Sequence, residues 1–259
     1  MIPAERRGYI YRYVHERNVV SINELAAELN VSHMTVRRDI QQLEAEGKVV
    51  PVSGGVRLND AVKQELAYSE KAGIHHQRKM AIGQAAADLV EDGQVIYLDA
   101  GTTTFEVARG IATRANLTVV TNDFTIAHYL MQYPQLTLFH TGGLVDARNR
   151  SCVGQAAATL LEGLNLDLAF ISSSSWDAER GLSTPSENKV MVKQALLRVA
   201  RRRILVSDSS KYGKYGMFRI CPLTALTDII SDTDLGEETA EPLRGQGLQV
   251  SLVSRKIPA

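Results

Sequence analysis

The chain has 259 residues, 44% hydrophobic and 22% charged, with a formal net charge of zero. That composition suits a globular protein able to bury one small and one larger core, and it excludes a protein that coats DNA by bulk charge. No apolar run approaches the ~18 residues that span a bilayer, and the N-terminus lacks a signal-peptide core. Two cysteines make neither a disulfide framework nor a metal site, so the cytosol is the expected compartment.

The first predicted element is a helix over 6–16, with Ile10, Tyr13 and Val14 facing inward. Ser21 then caps a short amphipathic helix that carries Ile22, Leu25, Ala26 and Leu29 on one side. Asn30-Val31-Ser32 makes a tight turn into another helix, with Ser32 as its N-cap. In that helix Val36, Ile40 and Leu43 recur at i, i+4 and i+7, the spacing of a buried stripe. Arg38, Gln41, Met34 and Arg37 therefore point outward, with Thr35 and Gln42 on the flank.

Arginine can fork onto guanine, glutamine can pair with adenine edges, and hydroxyls and amides can hold phosphates. The two short helices thus read as a helix-turn-helix whose second member enters the major groove. The candidate DNA contacts are Ser32, His33, Thr35, Arg37, Arg38, Gln41, Gln42 and Arg57. The alternative is a small helical domain with no DNA role.

Gly47 suits a left-handed C-cap at the end of the recognition helix. Residues 49–52 and 56–58 flank Ser53-Gly54-Gly55, a strand-turn-strand signal that completes a winged helix-turn-helix. Arg57 reaches a phosphate or the minor groove, or the hairpin only closes the small core. Residues 1–60 carry eight basic and eight acidic side chains, which cancel. DNA affinity must then come from charge placement, and from a homodimer or homotetramer that engages two half-sites at once.

The polar, weakly periodic stretch 59–76 reads as a linker, giving a DNA-binding domain over 1–58 and a larger domain over 77–259. The larger domain opens with an Ala-rich helix beginning near Lys79. Strand-loop-helix units then alternate, with strands near 95–98, 117–120, 136–139, 168–171, 204–206, 229–230 and 250–252. Such repeats predict a mostly parallel sheet covered on both faces, an α/β fold.

Several of these strands end in Gly, Ser, Thr, Asn or Asp, and in parallel sheets those ends share one edge where ligands bind. Gly101, Thr102, Thr103 and Thr104 lie between a strand and a helix start, where hydroxyls and N–H groups hold an anion. Thr121, Asn122, Gly142 and Gly143 would line the same crevice, with Lys193 and Lys211 as cations. The duller readings are turn and cap residues throughout, Asp99 as a helix cap and Lys193 as a solvated helix lysine.

Arg6, Ile10 and Val14, followed by Ser32, Thr35, Val36, Arg37, Arg38, Asp39 and Ile40, resemble in type and spacing the N-terminal signature of DeoR-type bacterial transcriptional regulators. The runs 99–104, 121–122, 141–143, 153–154 and 208–213 resemble the effector-binding half of that family. The resemblance implies a fold similar to ribose-5-phosphate isomerase and an effector that is a phosphorylated sugar metabolite. The residue reading and the resemblance together make Asp99, Gly101, Thr102, Thr103, Thr104, Thr121, Asn122, Gly142, Gly143, Arg150, Lys193 and Lys211 the candidates for effector binding.

The stretch matching the acid-rich catalytic loop of the isomerases is Ser172-Ser173-Ser174-Ser175-Trp176-Asp177, which holds one carboxylate. Lacking a paired acid and base, it implies a binding pocket without catalytic residues. Residues 32–35, 53–56 and 149–154 resemble a subgroup associated with acid-sugar catabolism, in which Arg148 and Arg150 suit a ligand with an added carboxylate. The expectation is a repressor of a sugar or acid-sugar operon. It binds double-stranded operator DNA and a phosphorylated sugar or sugar-acid effector, without cofactor, metal or membrane. The alternative is a sugar-phosphate isomerase-like enzyme with an accessory DNA-binding module.

Overall fold

The computed structural model describes residues 2–17, 19–45, 48–59 and 61–254, and the chain divides into two compact units, Met1–Ala61 and Val62–Ala259. In the first unit, α1 (Pro3–Arg17), α2 (Ile22–Leu29) and α3 (His33–Ala45) enclose a core of Ile10, Val14, Leu25, Val36, Ile40 and Leu43. Each helix start has a chemical reason. Ser21 Oγ accepts the Glu24 N–H at 3.1 Å, and Ser32 Oγ accepts the Thr35 N–H at 3.2 Å, satisfying donors that a helix N-terminus leaves open. Asn30 ends α2 in the left-handed region at φ 50°, which a short amide side chain tolerates.

The hairpin pairs Val49–Val52 with Gly55–Leu58, and a third strand, Val19–Ser21, lies against Gly55–Leu58. That third strand has three residues, too few for an alternating pattern to show in the sequence. Gly54 makes the turn at φ 74°. Gly55 is already within the strand, where a Cβ would lie 2.5 Å from the Val20 carbonyl oxygen, so only glycine lets the third strand approach. The Gly47 cap expected for α3 lies outside the described residues.

The second unit is built on seven parallel strands in the order Gln249–Val253, Asp228–Asp232, Ala200–Val206, Leu166–Ile171, Val95–Leu98, Thr118–Thr121, Thr137–His140. Alternate side chains face opposite ways. Tyr97, Ala169, Ile171, Leu205 and Ile229 meet α8 (Gln155–Glu162), α9 (Glu187–Val199) and α10 (Glu237–Gly245). Ile96, Leu98, Phe170, Ile204 and Val206 meet α5 (His76–Ala87), α6 (Thr102–Ile111) and α7 (Phe124–Leu130). Both faces are covered, as near-continuous apolar strands require.

The chain runs outward from Val95–Leu98 through two strands, then returns to Leu166–Ile171 on the other side. The loops after these two central strands therefore diverge, leaving a crevice at the carboxyl edge of the sheet. The stretch 59–76 does not behave as a plain linker. From Val62 it belongs to the second unit and forms the helix α4 (Tyr68–Gly73). Glu65 within it pairs with Lys189 of α9 at 2.7 Å and with Lys71 at 3.3 Å. These charges pair only in three dimensions, which a window of sequence does not reveal.

Candidate functional site

On α3 the buried stripe is Val36, Asp39, Ile40 and Leu43, and the opposite face exposes His33, Met34, Arg37, Arg38, Gln41 and Gln42. Asp39 joins the stripe because Arg6 of α1 meets it, with Nε 2.5 Å from Oδ2. This ion pair fixes α3 on α1 and so aims the arginine-bearing face. Ser32 and Thr35 sit at the helix start with their hydroxyls 3.0 Å apart. Arg57 lies mid-strand, half-buried, and donates to the Leu58 carbonyl at 3.4 Å, so it sits back from the tip of the turn. Arg38→Ala is expected to lower operator affinity by ~1–3 kcal/mol, the scale of one bidentate base contact. Fluorescence anisotropy on operator and scrambled duplexes checks it, and equal operator binding with an intact fold would remove Arg38 from the reading surface.

In the second unit a cavity of about 200 Å³ opens at the carboxyl edge of the sheet. Among the expected residues, Asp99, Gly101, Thr102, Thr103, Asn122, Lys193 and Lys211 line it. Thr104, Thr121, Gly142, Gly143 and Arg150 do not. Thr104 Oγ1 turns back to donate to the Gly101 carbonyl at 2.8 Å, and Thr121 Oγ1 donates to the Leu98 carbonyl at 2.7 Å. Both are fully buried and serve the loops themselves. Gly142 and Gly143 turn the chain at φ 62° and 114°, with a Cβ on Gly143 set to crowd Ala157. Arg150 stands outside the cavity with its guanidinium over the Tyr68 ring at 5.1 Å, and Arg148 faces Glu70 at 3.9 Å.

Asp99 is neither a helix cap nor an open contact. Its carboxylate accepts from Ala100 N, Ser172 N and Ser172 Oγ, each at 3.0 Å, and pairs with the buried Lys193 ammonium. Lys193 also donates to the Ser172 carbonyl at 2.7 Å. The pair bridges the two loops that flank the crevice and takes up the charge that the sequence offered to a ligand. Gly101 N–H likewise donates to Asp123 Oδ2 at 3.1 Å, while Asp123 Oδ1 caps α7. Burial raises the Asp123 carboxyl to about 6 against these hydrogen bonds.

The cavity's positive character comes largely from residues outside the sequence candidates. Six lysines line it, Lys71, Lys79, Lys189, Lys193, Lys211 and Lys214, against three carboxylates, Glu65, Asp99 and Asp208. Burial lowers Lys79 to about 8, and its ammonium donates to the Lys71 carbonyl at 2.6 Å. Burial would raise Glu65, but Lys189 and Lys71 outweigh it and hold the carboxyl at about 2. Burial opposes ionisation of Asp208 too, and is outweighed by Lys211 and the Ser210 hydroxyl, which lower its pKa. The Lys211 backbone N–H donates to the Asp208 carbonyl at 3.1 Å, while its ammonium makes no hydrogen bond among the described residues. Lys189 and Lys193 stand one helical turn apart on α9, a spacing that would have marked them as a pair. Asp177 lies off the cavity, capping the turn at Glu179 and Arg180.

Residues 6–62 match the family model described as DeoR-like helix-turn-helix domain, and residues 74–233 match DeoR C terminal sensor domain. The chain belongs to the DeoR family. It is 49% identical over 250 residues to the Escherichia coli K12 protein named "Uncharacterized HTH-type transcriptional regulator YgbI", covering 96% of this chain and 98% of that one. It is 32% identical over 234 residues to the "Lactose phosphotransferase system repressor" of Staphylococcus epidermidis, covering 89% and 92%. Ribose 5-phosphate isomerase A of Methanocaldococcus jannaschii superposes with a TM-score of 0.39 at 19% identity over 52% of this chain and 53% of that one, too distant to carry chemistry. This DeoR-family chain is therefore a helix-turn-helix transcriptional regulator with a sensor domain. No helix among its described residues is long and apolar enough to cross a membrane.

Proposed function

We propose that this DeoR-family regulator represses a sugar or acid-sugar catabolic operon as a homodimer or homotetramer, and that a phosphorylated sugar or sugar acid controls it from the sensor-domain cavity. The observation that carries the reading is the cavity's charge, six lysines against three carboxylates, at the sheet edge where α6 also begins. Helix N–H groups and ammonium groups together suit a phosphate. Each cavity carboxylate is engaged by a lysine, an N–H or a hydroxyl, which leaves none poised as a base and favours binding over isomerisation. Repression of a lactose phosphotransferase system is what the Staphylococcus relative is named for, and repression of sugar genes comes to this chain as part of the proposal.

Thermal-shift screening of phosphorylated sugars and sugar acids, followed by calorimetry, tests it. Lys211→Ala is expected to weaken the bound ligand about tenfold to a hundredfold, the scale of a lost charged hydrogen bond. A panel without a single binder, or turnover of an aldose phosphate by the purified protein, would overturn the reading.

Binding also acquires a pH dependence. Lys79 is positive below about 8 and neutral above it. Anion affinity should therefore hold near pH 7 and fall as pH rises toward 9. Lys79→Met should remove that fall while lowering affinity at neutral pH. An affinity flat across this window in the unaltered protein would show that Lys79 does not face the anion.

A further inference from the structure

Eight buried side-chain nitrogen and oxygen atoms among the described residues have no hydrogen-bond partner, and three of them belong to residues lining this one cavity. They are Asn122 Oδ1, Ser151 Oγ and Ser174 Oγ. Asn122 and Ser151 are 3% and 0% exposed, so bulk solvent does not satisfy them. Buried polar atoms are almost always paired, and a group of orphans beside one cavity marks the place of something that binds.

The Asn122 amide orientation is fixed by its neighbour. Nδ2 donates to the Cys152 carbonyl at 2.8 Å, so the atom left over is the oxygen. An amide oxygen only accepts, and a partner for it must bring an O–H or N–H. A phosphate dianion, a carboxylate, an ether or a ketone cannot supply one. The serine hydroxyls donate or accept. The Lys71 ammonium is already committed to Asn149 Oδ1 at 2.7 Å and to Glu65.

Asn122 follows the strand Thr118–Thr121 and Ser174 follows Leu166–Ile171, with Val95–Leu98 between them in the sheet. Strands two places apart are separated by about 10 Å. A ligand that meets both carries hydroxyls on well-separated carbons.

We propose that Asn122, Ser151 and Ser174 form a hydroxyl-reading subsite that selects the polyol part of the ligand, while the lysines hold its anion. The proposal rests on the sensor reading above and adds its specificity. The ligand class is an anionic polyol. An equally charged molecule without hydroxyls leaves the Asn122 oxygen unpaired and offers the serines no hydroxyl partner, and it is disfavoured for that reason.

The test uses the full chain and four probes: inorganic phosphate and n-propyl phosphate, which carry no alcohol hydroxyl, then glycerol 3-phosphate and ribose 5-phosphate, which carry progressively more. In the unaltered protein, affinity should climb along the hydroxylated members, each exceeding n-propyl phosphate by about tenfold or more. Ser151→Ala and Ser174→Ala should flatten that climb and leave inorganic phosphate binding unchanged. Their ligand-free melting temperatures should equal or exceed that of the unaltered protein, because the deleted hydroxyls have no protein partner to lose. A purely structural serine would do the reverse, lowering the ligand-free melting temperature and keeping the hydroxyl preference. Either a retained climb in both variants or an equal loss of inorganic phosphate overturns the subsite and spares the sensor reading. Absence of binding by all four probes to the unaltered protein overturns the subsite, and the wider screen then decides the sensor reading separately.

Discussion

Asp99→Asn is expected to destabilise the sensor unit by ~3–5 kcal/mol, the cost of stripping the partner from a buried charge. The substitution keeps the side-chain shape and removes the charge that faces Lys193, whose side chain is only 7% exposed. It also exchanges one acceptor oxygen for an amide that the Ser172 N–H and hydroxyl cannot both use. The measurement is denaturant unfolding followed by fluorescence of Trp176. That residue is the chain's single tryptophan and is fully buried in the sensor unit, so it reports this unit and not the helix-turn-helix. Adding Lys193→Met to Asp99→Asn removes the stranded ammonium and should recover a large part of the loss. A single variant within ~1 kcal/mol of the unaltered protein would mean that the pair is solvated and does not organise the crevice.

That role for Asp99 also shows where sequence reasoning stopped. The helix-turn-helix was legible because Val36, Ile40 and Leu43 sit at helical spacing and Ser21 and Ser32 stand where caps belong, all local facts. The parallel sheet was legible because apolar strands end repeatedly in small polar residues. Depth was not legible. Thr103 and Thr104 are neighbours of one type, yet one lines the cavity and the other ties its own loop. Arg6 and Asp39, or Glu65 and Lys189, are joined only after folding, and their separation in the chain hides them. Glu65 and Lys71 carry no local signal, because a mixed-charge stretch with weak periodicity looks like a linker until its charges find partners. Gly142 and Gly143 misled in the opposite direction. Glycines after a strand suggest a ligand loop, and here they let the backbone turn close to α8.

Residues 1–61 in isolation are expected to bind operator at least a hundredfold more weakly than the intact chain, and to ignore the effector. The first 60 residues hold as many acids as bases, and two of those bases, Arg6 and Arg17, are engaged by Asp39 and Glu24. What remains on the open face of α3 is chiefly Arg37 and Arg38, too little to hold a duplex through phosphate neutralisation alone. In the proposed homo-oligomer, tight binding would come from joining two or more such units, since linked sites gain about 10²–10⁴ without any new contact. The proposed effector acts on that joining, and it can shift it only by binding one arrangement better than another. Linkage makes the effect reciprocal, so operator DNA must change effector affinity by the factor with which effector changes operator affinity. Titrating operator and effector together on the intact protein measures both factors. A fragment that binds operator as tightly as the whole chain would defeat the avidity account, and equal effector affinity with and without DNA would leave no equilibrium switch to explain.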